Sequence, residues 1–98
     1  MVMIKIRDHV AGASTYEDGD VIFRLLAENL EAGREVEVSF EGISAVPSAF
    51  VNAAFVRLLD IVSFERLRSS VKFRQSTRAI NELLRHRLTF VAGQSATP

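Results

Sequence analysis

The chain contains no cysteine, which excludes disulfides, a thiol nucleophile and thiolate metal sites at once. Only two histidines occur, His9 and His86, and they lie far apart in sequence, so a histidine-based metal site has no clustered ligand set. No apolar run approaches the roughly 18 residues that a membrane span requires. The N-terminal Met-Val-Met-Ile-Lys-Ile-Arg lacks the basic, apolar and small-residue regions of a secretory signal. The missing signal and the missing cysteine together give the cytoplasm as the expected compartment. Phosphate-binding fingerprints are absent too: Gly42 stands alone, without Gly-x-Gly-x-x-Gly or Gly-Lys-Ser/Thr. No Gly-x-Ser-x-Gly elbow surrounds Ser48, and neither histidine is tied to it by a motif. No catalytic residue, metal or cofactor is assigned, and the expected protein is not an enzyme.

What remains is a soluble single-domain pattern over residues 1–98, with 48% hydrophobic and 24% charged residues. The net charge is zero, but it is segregated. Residues 1–63 carry five basic against ten acidic side chains, a net of −5, and residues 64–98 carry seven against two, a net of +5. Such asymmetry either steers a partner or lets two solvated faces attract each other within one fold.

Val2–Arg7 alternates Val2, Ile4 and Ile6 with Met3, Lys5 and Arg7, the two-residue period of a strand with one buried face. His9 follows in a loop. A helix is expected from Thr15–Gly19 to about Ala32, opened by Thr15 with Asp18 three residues on and striped by Ile22, Leu25, Leu26 and Leu30. Gly33 is its left-handed stop. Glu35–Phe40 alternates again, with Glu35 and Glu37 on the polar face. Gly42 turns the chain, Ile43 and Val46 tuck under, and Pro47 extends it toward Ser48, the expected N-cap of a second helix. Val51, Ala54, Phe55, Leu58, Leu59 and Val62 stripe that helix at i, i+3, i+4, i+7, i+8 and i+11. Phe50 lies off the stripe, either packed sideways or exposed as a contact, while Asn52 and Arg57 face outward. Ser63–Leu67 ends the helix and turns into a third strand, Arg68–Arg74. Gln75-Ser76-Thr77 caps a third helix carrying Ala79, Ile80, Leu83 and Leu84. Leu88–Ala92 is rich in β-formers and is split off as a fourth strand, although Leu88 also continues the Ile80–Leu84 helical spacing. Residues 93–98 are expected to be a frayed tail.

The order β-α-β-α-β-α-β predicts an α/β fold: a small four-stranded, mainly parallel sheet with helices mostly on one face. A bare sheet face or edge would invite a partner or a second copy of the chain.

Val36–Leu59 and its surroundings resemble a known pattern. Val-Glu-Val-Ser-Phe-Glu-Gly-Ile-Ser-Ala-Val-Pro-Ser-Ala-Phe is similar to the central strand–loop–helix of STAS domains, the fold of bacterial anti-sigma-factor antagonists. The run through Phe-Val-Asn-Ala-Ala-Phe-Val-Arg-Leu-Leu is most similar to the STAS-like family of uncharacterised function. Asp18-Gly19 and Val71-Lys72-Phe73 fit that family too, and the likeness spans about residues 2–92. It implies a protein-binding regulator in bacterial signalling, docking a histidine-kinase-like ATPase or another regulator. In antagonists of that kind a serine at this helix start is phosphorylated, and Ser48 falls there. The family's usual preceding acid and serine are Val46 and Pro47 in this chain, the following glycine is Ala49, and Phe50 replaces a leucine. Ser48 is thus a candidate phosphorylation site or a plain cap, and Ser44, Pro47, Ser48, Phe50 and Asn52 form the candidate partner surface. The competing reading takes Arg66, Arg68, Lys72, Arg74 and Arg78 as a nucleic-acid contact. Against it stand a single interleaved aromatic, Phe73, the lack of an RNA motif and the zero net charge.

Overall fold

Apolar alternation at the N-terminus becomes strand β1 (Val2–Lys5) in the computed structural model, which describes residues 2–95. A 3₁₀ turn, Ile6–Asp8, and a loop lead to helix α1 (Tyr16–Glu31). Then come strand β2 (Val36–Ser39), helix α2 (Ser48–Ala54) and a 3₁₀ stretch, Val56–Asp60. Helix α3 (Phe64–Ser70), strand β3 (Val71–Arg74) and helix α4 (Arg78–Ser95) complete the described chain.

The three strands form a parallel sheet in the order β1-β2-β3. Register places Val36 between Val2 and Val71, and Val38 between Ile4 and Phe73, so one face is apolar and carries the core. The other face sets Met3, Glu37 and Lys72 in one row and Lys5, Ser39 and Arg74 in the next. Met3, Lys72 and Arg74 are exposed, so this face is the solvated side of the sheet. Glu37 accepts from Arg74 at 3.0 Å and Lys5 pairs with Glu41, so its charges are largely matched locally.

Helix α1 starts and stops where its residues dictate. Thr15 Oγ1 accepts from the Asp18 amide at 3.0 Å, and Asp18 Oδ2 accepts from the Ser14 amide at 3.1 Å. Such a cap stabilises the helix by about 1 kcal/mol. At the far end Gly33, at φ 77°, donates to the Leu30 carbonyl, and the Arg34 amide donates to Asn29. Ile22, Leu26 and Leu30 are fully buried against the sheet and α2. The core centres on aromatic rings. Phe55 lies 5.2 Å from Phe73, 6.0 Å from Phe40 and 6.1 Å from Phe50, centroid to centroid.

Four expectations are corrected. Leu88–Ala92 is not a fourth strand but continues α4, because Leu88 extends the buried row Ile80, Leu84, Leu88, and core packing outweighs the β-preference of Thr89, Phe90 and Val91. Among the described residues the sheet therefore has three strands. Residues 93–95, expected as tail, are helical, while 96–98 lie outside the described residues. The second helix is shorter than its stripe. It ends at Ala54, Phe55 takes φ −120°, and the chain goes on in 3₁₀ form with the Leu58 amide donating to Phe55 at 3.0 Å. Phe55 and Val56 have weak helix propensity, so the ring packing of Phe55 decides the backbone there. Finally, Phe64–Ser70 is a helix of its own, capped by Ser63, whose Oγ accepts from the Arg66 amide at 3.1 Å.

Candidate functional site

The connection from β2 to α2 is held at several points and exposed between them. The Ile43 amide donates to the Phe40 carbonyl at 2.8 Å, closing a turn in which Gly42 takes φ 80°. The Arg7 side chain lies over Gly42 and its flexible guanidinium end would have to shift for a Cβ there, while the positive φ of this turn is what calls for glycine. Ile43 and Val46 pack against the core. Thr77 Oγ1 donates to the Ser44 carbonyl at 2.7 Å, fastening this loop to the start of α4. Between those anchors Ser44, Ala45, Pro47, Ser48 and Ala49 are exposed. Arg7, Gly12, Gly42 and Ser44 line a polar cleft of about 310 Å³ beside the loop.

Ser48 is not the cap. Pro47, with φ −79° and ψ 161°, is the extended residue before the first turn, and its carbonyl accepts from the Phe50 and Val51 amides at 3.1 and 3.3 Å. That makes Ser48 the first helical residue, one position too late to close over the first-turn amides. Among the described residues nothing hydrogen-bonds the Ser48 hydroxyl.

A family model, the STAS-like domain of unknown function (DUF4325), matches residues 18–91. The chain belongs to that family. No curated protein and no solved structure matches it.

Within this STAS-like domain the expected contact residues separate into two groups. Ser44, Pro47 and Ser48 share one exposed loop. Phe50, expected in the same surface, is fully buried, its ring 6.1 Å from Phe55, because α1 approaches α2 closely enough to enclose it. Asn52 is half-buried and its Oδ1 accepts from Arg87 at 3.1 Å, so its polar head is engaged by α4.

The basic segment does not assemble into one stripe. Arg66 crosses to the C-terminal end of α1 and donates to the Leu30 carbonyl. Arg74 pairs with Glu37 on the solvated sheet face, and Arg78 pairs with Glu82 along α4 at 3.2 Å. Arg68 and Lys72 remain neighbours, with Lys72 Nζ donating to the Arg68 carbonyl at 3.3 Å. Of the ion pairs among the described residues, Arg74–Glu37 alone joins the acidic and basic portions of the chain. No group of three His, Asp or Glu side chains that could hold a metal occurs among the described residues. Nor is any described helix long and apolar enough to cross a membrane.

One cluster escaped the reading of the sequence. Arg57 was expected to face outward, yet its guanidinium lies 4.0 Å from the Phe23 ring centroid and donates to Asp20 Oδ1 at 2.8 Å. Asp20 also pairs with Arg24 at 3.0 Å. Arg57 and Asp20 are 37 residues apart, so no local spacing announces them. The hydrogen bond from Arg57 holds the Asp20 carboxyl below the usual carboxylate range, helped by the charges of Arg24 and Arg57 against the opposing effect of burial. A carboxyl whose folded pKa is depressed contributes stability that is present above its unfolded pKa and lost as pH falls through the folded one. The melting temperature should therefore drop as the pH is lowered below about 4. In Asp20→Asn that acid limb should be shallower, and the difference should shrink with added salt. Identical limbs in a thermal-melt series for the two proteins would exclude Asp20 as a contributor.

Proposed function

We propose that this STAS-like domain is a non-enzymatic, protein-binding signalling module whose docking surface is the Ser44–Ser48 loop and the start of α2. The carrying observation is the exposure of Ser44, Pro47 and Ser48 on a loop pinned by the Ile43–Phe40 turn and the Thr77–Ser44 hydrogen bond. A surface that is already ordered before contact loses little conformational entropy on binding, which suits a regulator that must recognise one partner. The resemblance to anti-sigma-factor antagonists supports a histidine-kinase-like ATPase as that partner. Ser48 is suited to receive a phosphate, because its hydroxyl is exposed and has no hydrogen-bond partner among the described residues. A phosphate there would add close to two negative charges to the docking surface and so change which partner fits. The act of the module is binding, with Ser48 as the switchable group and Ser44 and Pro47 as the flanking contact.

The test is Ser48→Asp. The residue is exposed and at the first turn of a helix, where a carboxylate is tolerated, so the melting temperature should change little. Affinity for a purified histidine-kinase-like ATPase from the same genome should change at least tenfold, about 1.4 kcal/mol. Incubation of the wild-type domain with that ATPase and ATP should place phosphate on Ser48 by mass spectrometry. Wild-type affinity in both Ser48→Asp and Pro47→Ala would remove the loop as the docking surface.

A further inference from the structure

A second surface shares no residue with the Ser44–Ser48 loop. Between α3, β3 and α4 the domain opens a cleft of about 230 Å³. Phe64, Phe73, Leu84 and Leu88 form its apolar lining, joined by Arg68 and Arg85. The opening follows from the corrected topology. β3 is the outer strand of the described sheet, and Leu88–Ala92 lengthens α4 instead of adding a strand beside it. Phe73 therefore packs inward against Phe40 and Phe55 while its outer side stays half-buried, and Phe64 is half-buried likewise.

The arginines of the molecule divide by partner: Arg34, Arg66 and Arg87 donate to the uncharged oxygens of Asn29, Leu30 and Asn52, and Arg7 has no carboxylate partner among the described residues. Arg24, Arg57, Arg74 and Arg78 each have a carboxylate partner. Among the described residues Arg68 and Arg85 have none. Arg68 rests instead over the Phe64 ring, 5.8 Å from its centroid. Both arginines are exposed, so two unneutralised guanidiniums accompany an apolar lining. The complement is a surface that presents carboxylates beside apolar anchors.

Size and lining narrow the form of the occupant. The cleft is smaller than the roughly 300–1,000 Å³ of pockets that enclose drug-sized ligands, but it can take anchor side chains. Seven of its eight lining residues belong to α3 and α4 and only Phe73 comes from β3, so an occupant meets helical side chains more than strand backbone, which suits a helix better than an added strand. Nucleic acid would need a run of cations along a phosphate backbone, and two arginines over an apolar lining do not supply one. We infer that this cleft docks an acidic amphipathic helix of a partner protein, with apolar side chains seated on Phe64, Phe73, Leu84 and Leu88 and carboxylates paired to Arg68 and Arg85. This mode places apolar anchors at i, i+3 or i+4, and i+7 along the bound helix. It stands independently of the proposed loop surface.

The probe is a yeast-displayed library of random helical peptides about four turns long, selected on the intact domain. Enriched sequences should be net acidic with apolar residues at those spacings, and a synthesised representative should shift the amide resonances of Phe64, Phe73, Leu84 and Leu88. Its affinity should fall at least tenfold in the Arg68→Glu, Arg85→Glu double variant, and a lysine-for-glutamate version of the peptide should recover binding to that variant. Both sites are exposed, so an unchanged melting temperature should certify the fold. Ser48→Asp should leave the peptide affinity unchanged, which separates this site from the loop. No enrichment, enrichment of neutral or basic sequences, equal affinity for the double variant, or shifts confined to the Ser44–Ser48 loop would each overturn the inference. Tighter binding of decanoate than of any selected peptide would overturn it as well, assigning the cleft to a small anionic amphiphile.

Discussion

Phe55→Ala is expected to cost about 3–5 kcal/mol, the range for truncating a buried aromatic ring. A domain of this size has roughly 5–15 kcal/mol to lose, so the variant should be unfolded in part at physiological temperature. The expectation rests on what the ring touches. Phe55 is fully buried and meets Phe40, Phe50 and Phe73 at once, which joins the residue that follows β2 to α2 and β3 through one side chain. Phe55 also sits where α2 gives way to the 3₁₀ stretch, so the cavity would open at a point already short of regular helical hydrogen bonds. Relaxation there can reduce the cavity term, but not the transfer term of the removed ring. Phe90→Ala is the control, because Phe90 is exposed and touches only His86 among the rings, and it should stay within about 0.5 kcal/mol of wild type. Urea titration of the three proteins measures both numbers. A loss below about 1.5 kcal/mol for Phe55→Ala would show that the ring cluster is not the centre of the core.

The two helical boundaries that the sequence revealed best are those where local chemistry alone decides. Thr15, Asp18 and Gly33 act within a few residues of themselves, and α1 spans the expected stretch. β1 and β2 were legible for a related reason: alternation in Val2–Lys5 and Val36–Ser39 reports a sheet buried on one face. Legibility ended where periods overlap. The spacing i, i+3, i+4 marks the buried side of an α-helix and of a short 3₁₀ stretch alike, so Val51–Val62 revealed its buried face but not its break at Phe55. Leu88 belonged to two patterns, and tertiary packing against the row of Ile80 and Leu84 chose between them. The candidate site divided in the same way. Ser48 was placed correctly at a helix start, yet its rank as first helical residue depends on the extended Pro47. The burial of Phe50 and the Arg57–Asp20 pair arise from contacts between α1 and the α2 region, more than thirty residues apart, which no window of local sequence contains.

Gly19→Ala isolates that long-range contact, because two effects of opposite sign meet at one methyl group. Helix propensity alone favours alanine over glycine by about 1 kcal/mol in the interior of a helix such as α1. Packing argues the other way: a Cβ at Gly19 would lie 2.7 Å from Ala53 Cβ and 2.7 Å from the Phe50 carbonyl oxygen. The first neighbour is a methyl fixed on a helix, and the second is backbone, so neither can rotate aside. The helices must separate to admit the group, and forced overpacking of this kind costs about 1–3 kcal/mol or more. The expected net result is destabilisation, with a fall in melting temperature of about 4–8 °C for each kcal/mol lost. Separation of α1 from α2 would also loosen the enclosure of Phe50 and, through it, the start of the helix that presents Ser48. Gly19→Ala should therefore weaken partner binding at the loop even at temperatures where the domain stays folded, while peptide binding at the α3–α4 cleft should hold. Ala53→Gly in the same chain should recover only part of the stability, since the Phe50 carbonyl still opposes the methyl. A Gly19→Ala protein more stable than wild type would mean that helix propensity dominates, and that α1 and α2 do not pack as closely as the structure places them.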